Sequence, residues 1–582
     1  MEKLKPHYLR RKTMNNNFGF FSHFNSSKIK KFFTNPLIWV IIFSLPATFA
    51  LLVPGYFGAS DDLHIAWLYE MNQSISIGQI PPRFIPDLSF GFGYPLFNFL
   101  FPLPFYIGEI FHFVGFNFVD SIKAVFFLSI PLSAFFMYLL LKEFTTKTLS
   151  FLGAVIYVYT PYRATDLYIR GAIGEIVSFV ILPILILAVV KLTVDSKYYF
   201  RWVGIGAIAF TSLVLSHNIT AYMFLPFLIL LAIFRLIFLP LKKIKTLGQL
   251  LLTFFLGLLI SCYFWIPAIM ESGLMKKDTV FNFIDHFPTL RQLITPYWGY
   301  GASVAGPYDG MSFFTGIVNL LLFFAGLVLI IIFWKKYKVD QKIIIVWAMI
   351  SIFMAVFLMN FRSSFLWSNL PLLPYFQFPW RFLIIITVMT PILVIALDQF
   401  KQYKYIFILL AILTVSLNYH EFRPQDFLGR DDAYYVNRYI PKPIASAEYL
   451  TLQEEYLRLP KGVIRPDKNY PPISISSGNV SMIKNDGLNV LFSSEASSEA
   501  EINYYKYNFP GWEAKIDNYP VKIVSGSPFS QITFTVPSGI HEVKISFGET
   551  NFKKVLDIIS LLTFIIVIYL IILHTKRETM QS

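Results

Sequence analysis

Leu37 to Trp67 reads "LIWVIIFSLPATFALLVPGYFGASDDLHIAW". An apolar run of membrane length, 37 to 57, gives way to two adjacent carboxylates, Asp61 and Asp62, and then to a histidine, His64. The run is long enough for the hydrocarbon core, and charge at its lip is costly unless something uses it. From Leu63 on, the apolar positions Leu63, Ile65, Ala66, Leu68 and Met71 recur at helical spacing, which predicts a helix lying along the membrane surface. Capping of that helix is the competing reading of the two aspartates, because a carboxylate accepts first-turn amides.

The rest of the chain agrees with a membrane solvent. Its 582 residues are 55% hydrophobic and 14% charged, with a mean hydropathy of +0.57, too apolar for a soluble protein. Runs at about 37–57, 121–141, 148–162, 173–192, 201–217, 219–238, 248–270, 312–334, 342–360, 382–399, 403–418 and 555–574 predict about twelve spans. The net charge of +14 resides in basic residues beside these runs, which points to headgroups and topology and excludes a nucleic-acid partner. A single cysteine, Cys262, excludes an internal disulfide. Some thirty polar and basic residues precede the first run, so the N-terminus is read as retained and not as a cleaved signal.

Lysine-bearing loops assign sidedness. The tail with Lys28, Lys30 and Lys31, the loops with Lys142 and Lys147, Lys197 and Arg201, Lys242 and Lys243, Lys335 and Lys336, Lys401 and Lys404, and the terminus with Lys576 and Arg577 all fall on the cytoplasmic side if residues 95–117 do not cross. That stretch is broken by Pro95, Pro102, Pro104 and Gly108, and reads as interfacial or re-entrant. The expected organisation is a basic tail (1–36), a transmembrane domain (37–419) with external loops at 58–118 and 271–311, an extracytoplasmic β-domain (420–552) and a final anchor with a short tail (553–582). The β-domain follows from short alternating strands between turn residues and is read as a sandwich or jelly roll. The whole is a multi-pass protein of the plasma membrane with both termini cytoplasmic.

The chemistry-bearing residues gather on the external face. They are Asp61, Asp62 and His64; Arg83 and Asp87; Arg163, Asp166, Arg170 and Glu175; His217; and Arg381. Each has a plainer reading: a cap for Asp61, a surface salt bridge for Arg83, an inert ion pair for Arg170 with Glu175, a turn histidine for His217, and a snorkelling arginine for Arg381. Together they suit sugar transfer from a lipid phosphate, in which cations hold the leaving phosphate and a carboxylate takes the acceptor's proton.

The stretches "GFGYPLFNFLFPLPFY" (91–106), "RGAIGE" (170–175), "LSHNIT" (215–220) and "FQFPWRFL" (376–383) resemble the bacterial integral membrane proteins called 6-pyruvoyl-tetrahydropterin synthase-related. The C-terminal "NFPGWEAKIDNYPVKI" and "VPSGIHEVKISF" are similar to YfhO-like proteins, and the acidic pair after the first span resembles the C-type (GT-C) glycosyltransferase superfamily. The resemblance implies a GT-C-like fold, a polyprenyl-phosphate-sugar donor, and an extracytoplasmic glycan, lipid or protein acceptor. It implies Asp61 as the first-loop base, Glu175 as the second-loop acid and His217 as a phosphate-binding cation; the residues themselves add Asp62 and His64, which with Glu175 shape the catalytic site, and Arg170, Arg381, Arg83 and Asp87 on substrate or phosphate. Tyr94 stands before Pro95 where aminoarabinose transferases carry a glutamate, so the sequence leaves divalent-metal use open and fixes no cofactor. It holds no zinc-histidine set suited to pterin synthesis. A non-enzymatic transporter or scaffold for lipid-linked glycans is the alternative, and it predicts charges lining a path through the bilayer.

Overall fold

The computed structural model describes residues 35–89, 91–194, 199–275, 282–440 and 470–579. The basic tail before residue 35 and Lys197 lie outside them. By length and composition eight helices qualify as membrane spans among the described residues: Phe118–Leu141, Ile173–Leu192, Tyr199–Ser216, Asn218–Phe238, Lys243–Ile260, Val339–Met359, Pro379–Phe400 and Asn551–Thr575. The expected count of about twelve is therefore not reached on that criterion. The four remaining runs fall on shorter helices, beginning at Pro36, Lys147, Ile317 and Lys404. The helix Lys147–Val158, with 12 residues, rises only about 18 Å against a core of about 30 Å.

Two helices form the centre. Within their most apolar windows, Ile173–Leu192 is 89% buried and Pro379–Phe400 94% buried, whereas Asn551–Thr575 is 17% buried and stands at the edge. A helix apolar on every face is stable only when surrounded by protein or lipid. The ends of these two central helices carry Glu175 and Arg381, so both side chains lie inside protein.

Residues 95–117 do not form a span. They make two short helices, Leu96–Phe99 and Leu103–Phe113, separated where prolines remove backbone donors. Phe97 and Phe105 are buried against the bundle. The helix His64–Ser76 lies beside them, with Leu68 against Gly108. Its N-cap is Leu63, without a side-chain hydrogen bond, so neither Asp61 nor Asp62 caps it.

The segment after the first helix is tied to residues that follow the helix Lys404–Asn418. Strand β1 (Tyr56–Phe57) pairs antiparallel with β2 (Phe427–Arg430). Asp432 accepts the amides of Phe118 and Val119, at 2.9 and 2.8 Å, and so caps the span Phe118–Leu141 from more than three hundred residues away. Among the described residues the two larger sheets start at Ile473. Strands β3 (Ile473–Ile475), β6 (Ala500–Tyr507), β10 (Gln531–Val536) and β9 (Val524–Ser525) form one sheet in the order β3-β6-β10-β9. Strands β4 (Asn479–Asn485), β5 (Asn489–Ala496), β11 (Gly539–Phe547), β7 (Trp512–Ile516) and β8 (Tyr519–Val521) form the other, in the order β4-β5-β11-β7-β8. Alternate residues such as Val490, Phe492, Ile502, Phe534, Val543 and Ile545 are buried, giving the period of two expected of half-buried strands.

The sheets dock on the loop that precedes residues 95–117. Lys506 donates to the carbonyls of Pro86 and Gly91, at 2.9 and 2.6 Å, and Phe84 packs on Trp512 and Phe547. Burial pushes the Lys506 ammonium down to about 8, with Asp87 opposing that shift.

Candidate functional site

Two glycines explain how distant segments meet. Gly171 has φ +70°, and a Cβ there would come within 3.1 Å of the Asp61 carbonyl. A Cβ on Gly174 would lie 2.6 Å from the Ser216 carbonyl. Glycine thus lets the turn before Ile173–Leu192 touch both the aspartate loop and the His217 turn. The Asp61 amide donates to the Arg170 carbonyl at 2.7 Å, and the Ser60 amide to that of Ile169 at 2.9 Å.

Around this junction lies a buried polar cluster. Arg170 grips Glu175 with two nitrogens, Nη1 to Oε2 and Nη2 to Oε1, each at 2.8 Å. The same Nη1 also bonds Asp166 and, at 3.1 Å, the Tyr162 hydroxyl, which in turn donates to Glu175 at 3.0 Å. The Arg170 guanidinium stacks 4.8 Å from the Trp380 ring. Arg381 comes from the other central helix, with Nε 3.5 Å from Glu175 Oε1. Its Nη1 donates to the Phe376 carbonyl and the Gln377 side chain, at 2.9 and 2.7 Å, while Nη2 has no protein partner among the described residues.

His217 is the N-cap of Asn218–Phe238. Its Nδ1 accepts the Thr220 amide at 3.3 Å and sits 2.7 Å from the Thr220 hydroxyl. An accepting Nδ1 assigns the ring proton to Nε2, which has no protein partner among the described residues. Glu175, Arg381 and Arg170 are the charges that act on this ring.

The two aspartates have different surroundings. Asp62 accepts a hydrogen bond from the Tyr439 hydroxyl and lies near Arg438 and Arg430. Asp61 is partly buried, and its carboxylate has no hydrogen-bond partner among the described residues. Burial raises the Asp61 pKa, while Arg170 and Arg381 pull against the shift. His64 Nε2 donates to the Gly171 carbonyl at 3.0 Å, and burial drops its pKa to about 4. The ring is therefore neutral and joins the Asp61 loop to the turn at Gly171.

Asp61, Arg170, Glu175, His217 and Arg381 thus share one site, with Asp62 and His64 in its wall. Arg83 and Asp87 do not join it. Arg83 is 1% exposed, and each of its guanidinium nitrogens donates within the protein, to Glu549 (2.6 Å), Asp557 (2.9 Å) and the Tyr263 carbonyl (2.7 Å); a buried cation already matched by two carboxylates corrects both its phosphate-binding reading and its surface-salt-bridge reading. Asp87 faces Lys506 of the β-sheets. Arg163 is buried over the rings of Tyr157 and Phe179, at 5.0 and 4.4 Å, and donates to Ser133. Tyr162, Trp380 and Tyr439 belong to the site and were not singled out from sequence. Tyr439 had a signal, its acidic and aromatic stretch "DDAYYVNRY", but nothing local to link it to residue 62. Among the described residues no three His, Cys, Asp or Glu side chains are grouped to ligate a metal.

Against curated proteins, the chain is 26% identical over 261 residues to an uncharacterized protein of Lactococcus lactis subsp. cremoris (strain MG1363), covering 42% of this chain and 41% of that one. Among solved structures it is similar to the arabinofuranosyltransferase AftD from Mycobacteria (TM-score 0.41, 14% identity, 67% of this chain and 27% of that one). It is also similar to the oligosaccharyltransferase AglB from Archaeoglobus fulgidus, solved with an inhibitory peptide and a dolichol-phosphate (TM-score 0.42, 13% identity, 70% and 56%). The chain thus spans less than two thirds of each of these relatives. Residues 97–422, more than half of the chain and including Arg170, Glu175, His217 and Arg381, match the family described as 6-pyruvoyl-tetrahydropterin synthase related domain, membrane protein, and the chain belongs to that family of membrane proteins.

Proposed function

We propose that this protein is a membrane glycosyltransferase that moves a sugar from a polyprenyl-phosphate donor to an acceptor outside the cytoplasm. The observation that carries the reading is the Asp61 carboxylate, without a protein partner among the described residues, beside Asp166 and Glu175, which Arg170 engages, and Asp62, which Tyr439 engages. A base must be ionised and unoccupied to accept a proton. Asp61 meets the second condition, and the two arginines favour the first.

In the reaction, the acceptor hydroxyl loses its proton to Asp61 as its oxygen bonds the anomeric carbon of the sugar. The bond from that carbon to the phosphate oxygen breaks, and the departing polyprenyl phosphate gains one negative charge. Arg381 Nη2 and His217 Nε2–H, the unspent donors beside Glu175, receive that charge. Glu175 does not act on the substrate directly in this scheme. It holds Arg170 and Arg381 in one place, offsetting the cost of burying two like charges together.

Topology supports the same reading. The helices that begin at Lys147, Lys243 and Lys404 start at the end opposite the Asp61 cluster, and the positive-inside rule applied to those lysines supports an extracytoplasmic cluster and β-domain. The sheets, docked beside the re-entrant segment through Lys506 and Phe84, are the surface offered to an acceptor. The test is transfer of radiolabelled sugar from polyprenyl-phosphate donors by membranes carrying wild type or Asp61→Asn. Equal incorporation by both removes Asp61 as the base.

A further inference from the structure

At the end of the bundle opposite the Asp61 cluster, three helices leave a groove that the proposed transferase does not use. A cavity of about 380 Å³ opens between Pro36–Ser44, Lys147–Val158 and Lys404–Asn418. Its wall is aromatic and aliphatic: Trp39, Phe43, Phe151 and Ile408. Phe43 meets Phe151 edge-on at 5.1 Å and Trp39 at 6.4 Å, so the wall is continuous. The polar lining residues are Lys147 and Thr148, both in the first turn of their helix. Lys147 is exposed, and neither its ammonium nor the Thr148 hydroxyl has a partner among the described residues. Among the described residues no carboxylate lines the cavity. A second cation, the exposed Lys404, lies one turn from Ile408 on the third helix.

We infer that this groove binds one acyl chain of an anionic glycerophospholipid, with the headgroup phosphate on Lys147. Shape and charge decide the occupant. An aromatic slot with so few polar atoms has little to offer a sugar or a free nucleotide, whereas a hydrocarbon chain gains by covering it. Among the described residues the cations beside the groove, Lys147 and Lys404, stand at the end where the helices begin, which is where a phospholipid in that leaflet carries its phosphate. An ammonium at the start of a helix also adds to the positive end of the helix dipole, and Thr148 can donate a hydrogen bond to the same phosphate. A zwitterionic lipid fills the slot equally well but gains less from Lys147, so the site predicts selectivity by headgroup charge.

The experiment uses the full chain in nanodiscs of phosphatidylcholine containing a minor fraction of lipid brominated on its acyl chain, either phosphatidylglycerol or phosphatidylcholine. The Trp39-dependent fluorescence, taken as wild type minus Trp39→Phe, reports contact with the brominated chain. The expected result is a preference for the phosphatidylglycerol probe of about five-fold, the effect of one lysine at an anionic headgroup. Lys147→Ala should abolish most of that preference and Lys147→Arg should keep it. Lys335→Ala, at another basic loop, should leave it unchanged. Equal quenching by the two probes in the wild type overturns the inference. So does an equal loss in Lys335→Ala, which would assign the preference to general surface charge. Protection of Trp39 from both probes overturns it as well, because another part of the chain then fills the groove.

Discussion

Arg83 and Arg170 are both buried arginines gripped by two carboxylates, one pair being Glu549 with Asp557 and the other Asp166 with Glu175. What differs is what is left over. Around Arg83 every guanidinium nitrogen is spent, with the third donor on the Tyr263 carbonyl, and the nearby Lys553 is itself paired with Glu271 at 3.0 Å. Around Arg170 there remain a carboxylate at Asp61, a nitrogen of Arg381 and a ring N–H of His217, none with a protein partner among the described residues. A closed set of charges joins elements together. An open set is costly to keep and is explained by something that binds or reacts there. Arg83 fastens the loop before residues 95–117 to the last helix, and Arg170 holds the frame of the proposed active site.

The largest effect that can break this contrast is on the open side. Asp61→Asn should lower sugar transfer by about 10²–10⁴-fold, the usual contribution of a positioned base, with thermal unfolding in detergent unchanged. If stability fell and transfer survived, Asp61 would belong with the closed set. In wild type, transfer should rise with pH through the raised Asp61 pKa, so its acid limb should stand above that of an ordinary carboxylate, measured as a rate–pH profile.

On the closed side, Arg83→Ala should destabilise the protein by about 3 kcal/mol, since it leaves two carboxylates facing each other without their cation. The lower end of the usual range applies because Glu549 and Asp557 are partly exposed. Unfolding followed by loss of the folded peak on size exclusion checks it.

His64 sharpens the comparison through pH. Its folded pKa of about 4 lies below the ordinary 6.5, so between those values the unfolded chain binds a proton that the folded chain does not. Stability should therefore fall by about 2–3 kcal/mol as pH drops from about 6.5 to about 4, and His64→Gln should remove that part of the slope in thermal melts. The smallest effect is expected from Tyr439→Phe, which removes the hydroxyl held by Asp62. It should cost about 1–2 kcal/mol and slow transfer only through a less firmly held neighbour of Asp61. A loss of transfer as deep as that of Asp61→Asn would mean that Asp62, and not Asp61, carries the chemistry.

Much of the architecture was legible because the bilayer imposes simple rules. Apolar length marked each helix, prolines and glycines marked 95–117 as a stretch that does not cross, and alternation marked the β-sheets. The span count was less legible, since the helices at Lys147 and Ile317 are apolar but short, and nothing in their composition reveals that length. Of the site, Asp61, Arg170, Glu175, His217 and Arg381 were all readable as charges at span ends, where burial needs a reason. Arg83 was misread because its partners lie some 470 residues away, at Glu549 and Asp557.

By itself the sequence determined the membrane solvent, the placing of charges at the ends of apolar runs, and the strand period near the C-terminus, because each depends on local composition and spacing. Only the tertiary structure decided which charges were spent and which were free. Asp61 and Asp62 are neighbours of identical chemistry, and their fates diverge because Tyr439 bonds the Asp62 carboxylate whereas the turn at Gly171 packs on the Asp61 backbone. Pairing of that kind depends on distances between residues far apart in the chain, and local sequence carries no record of them.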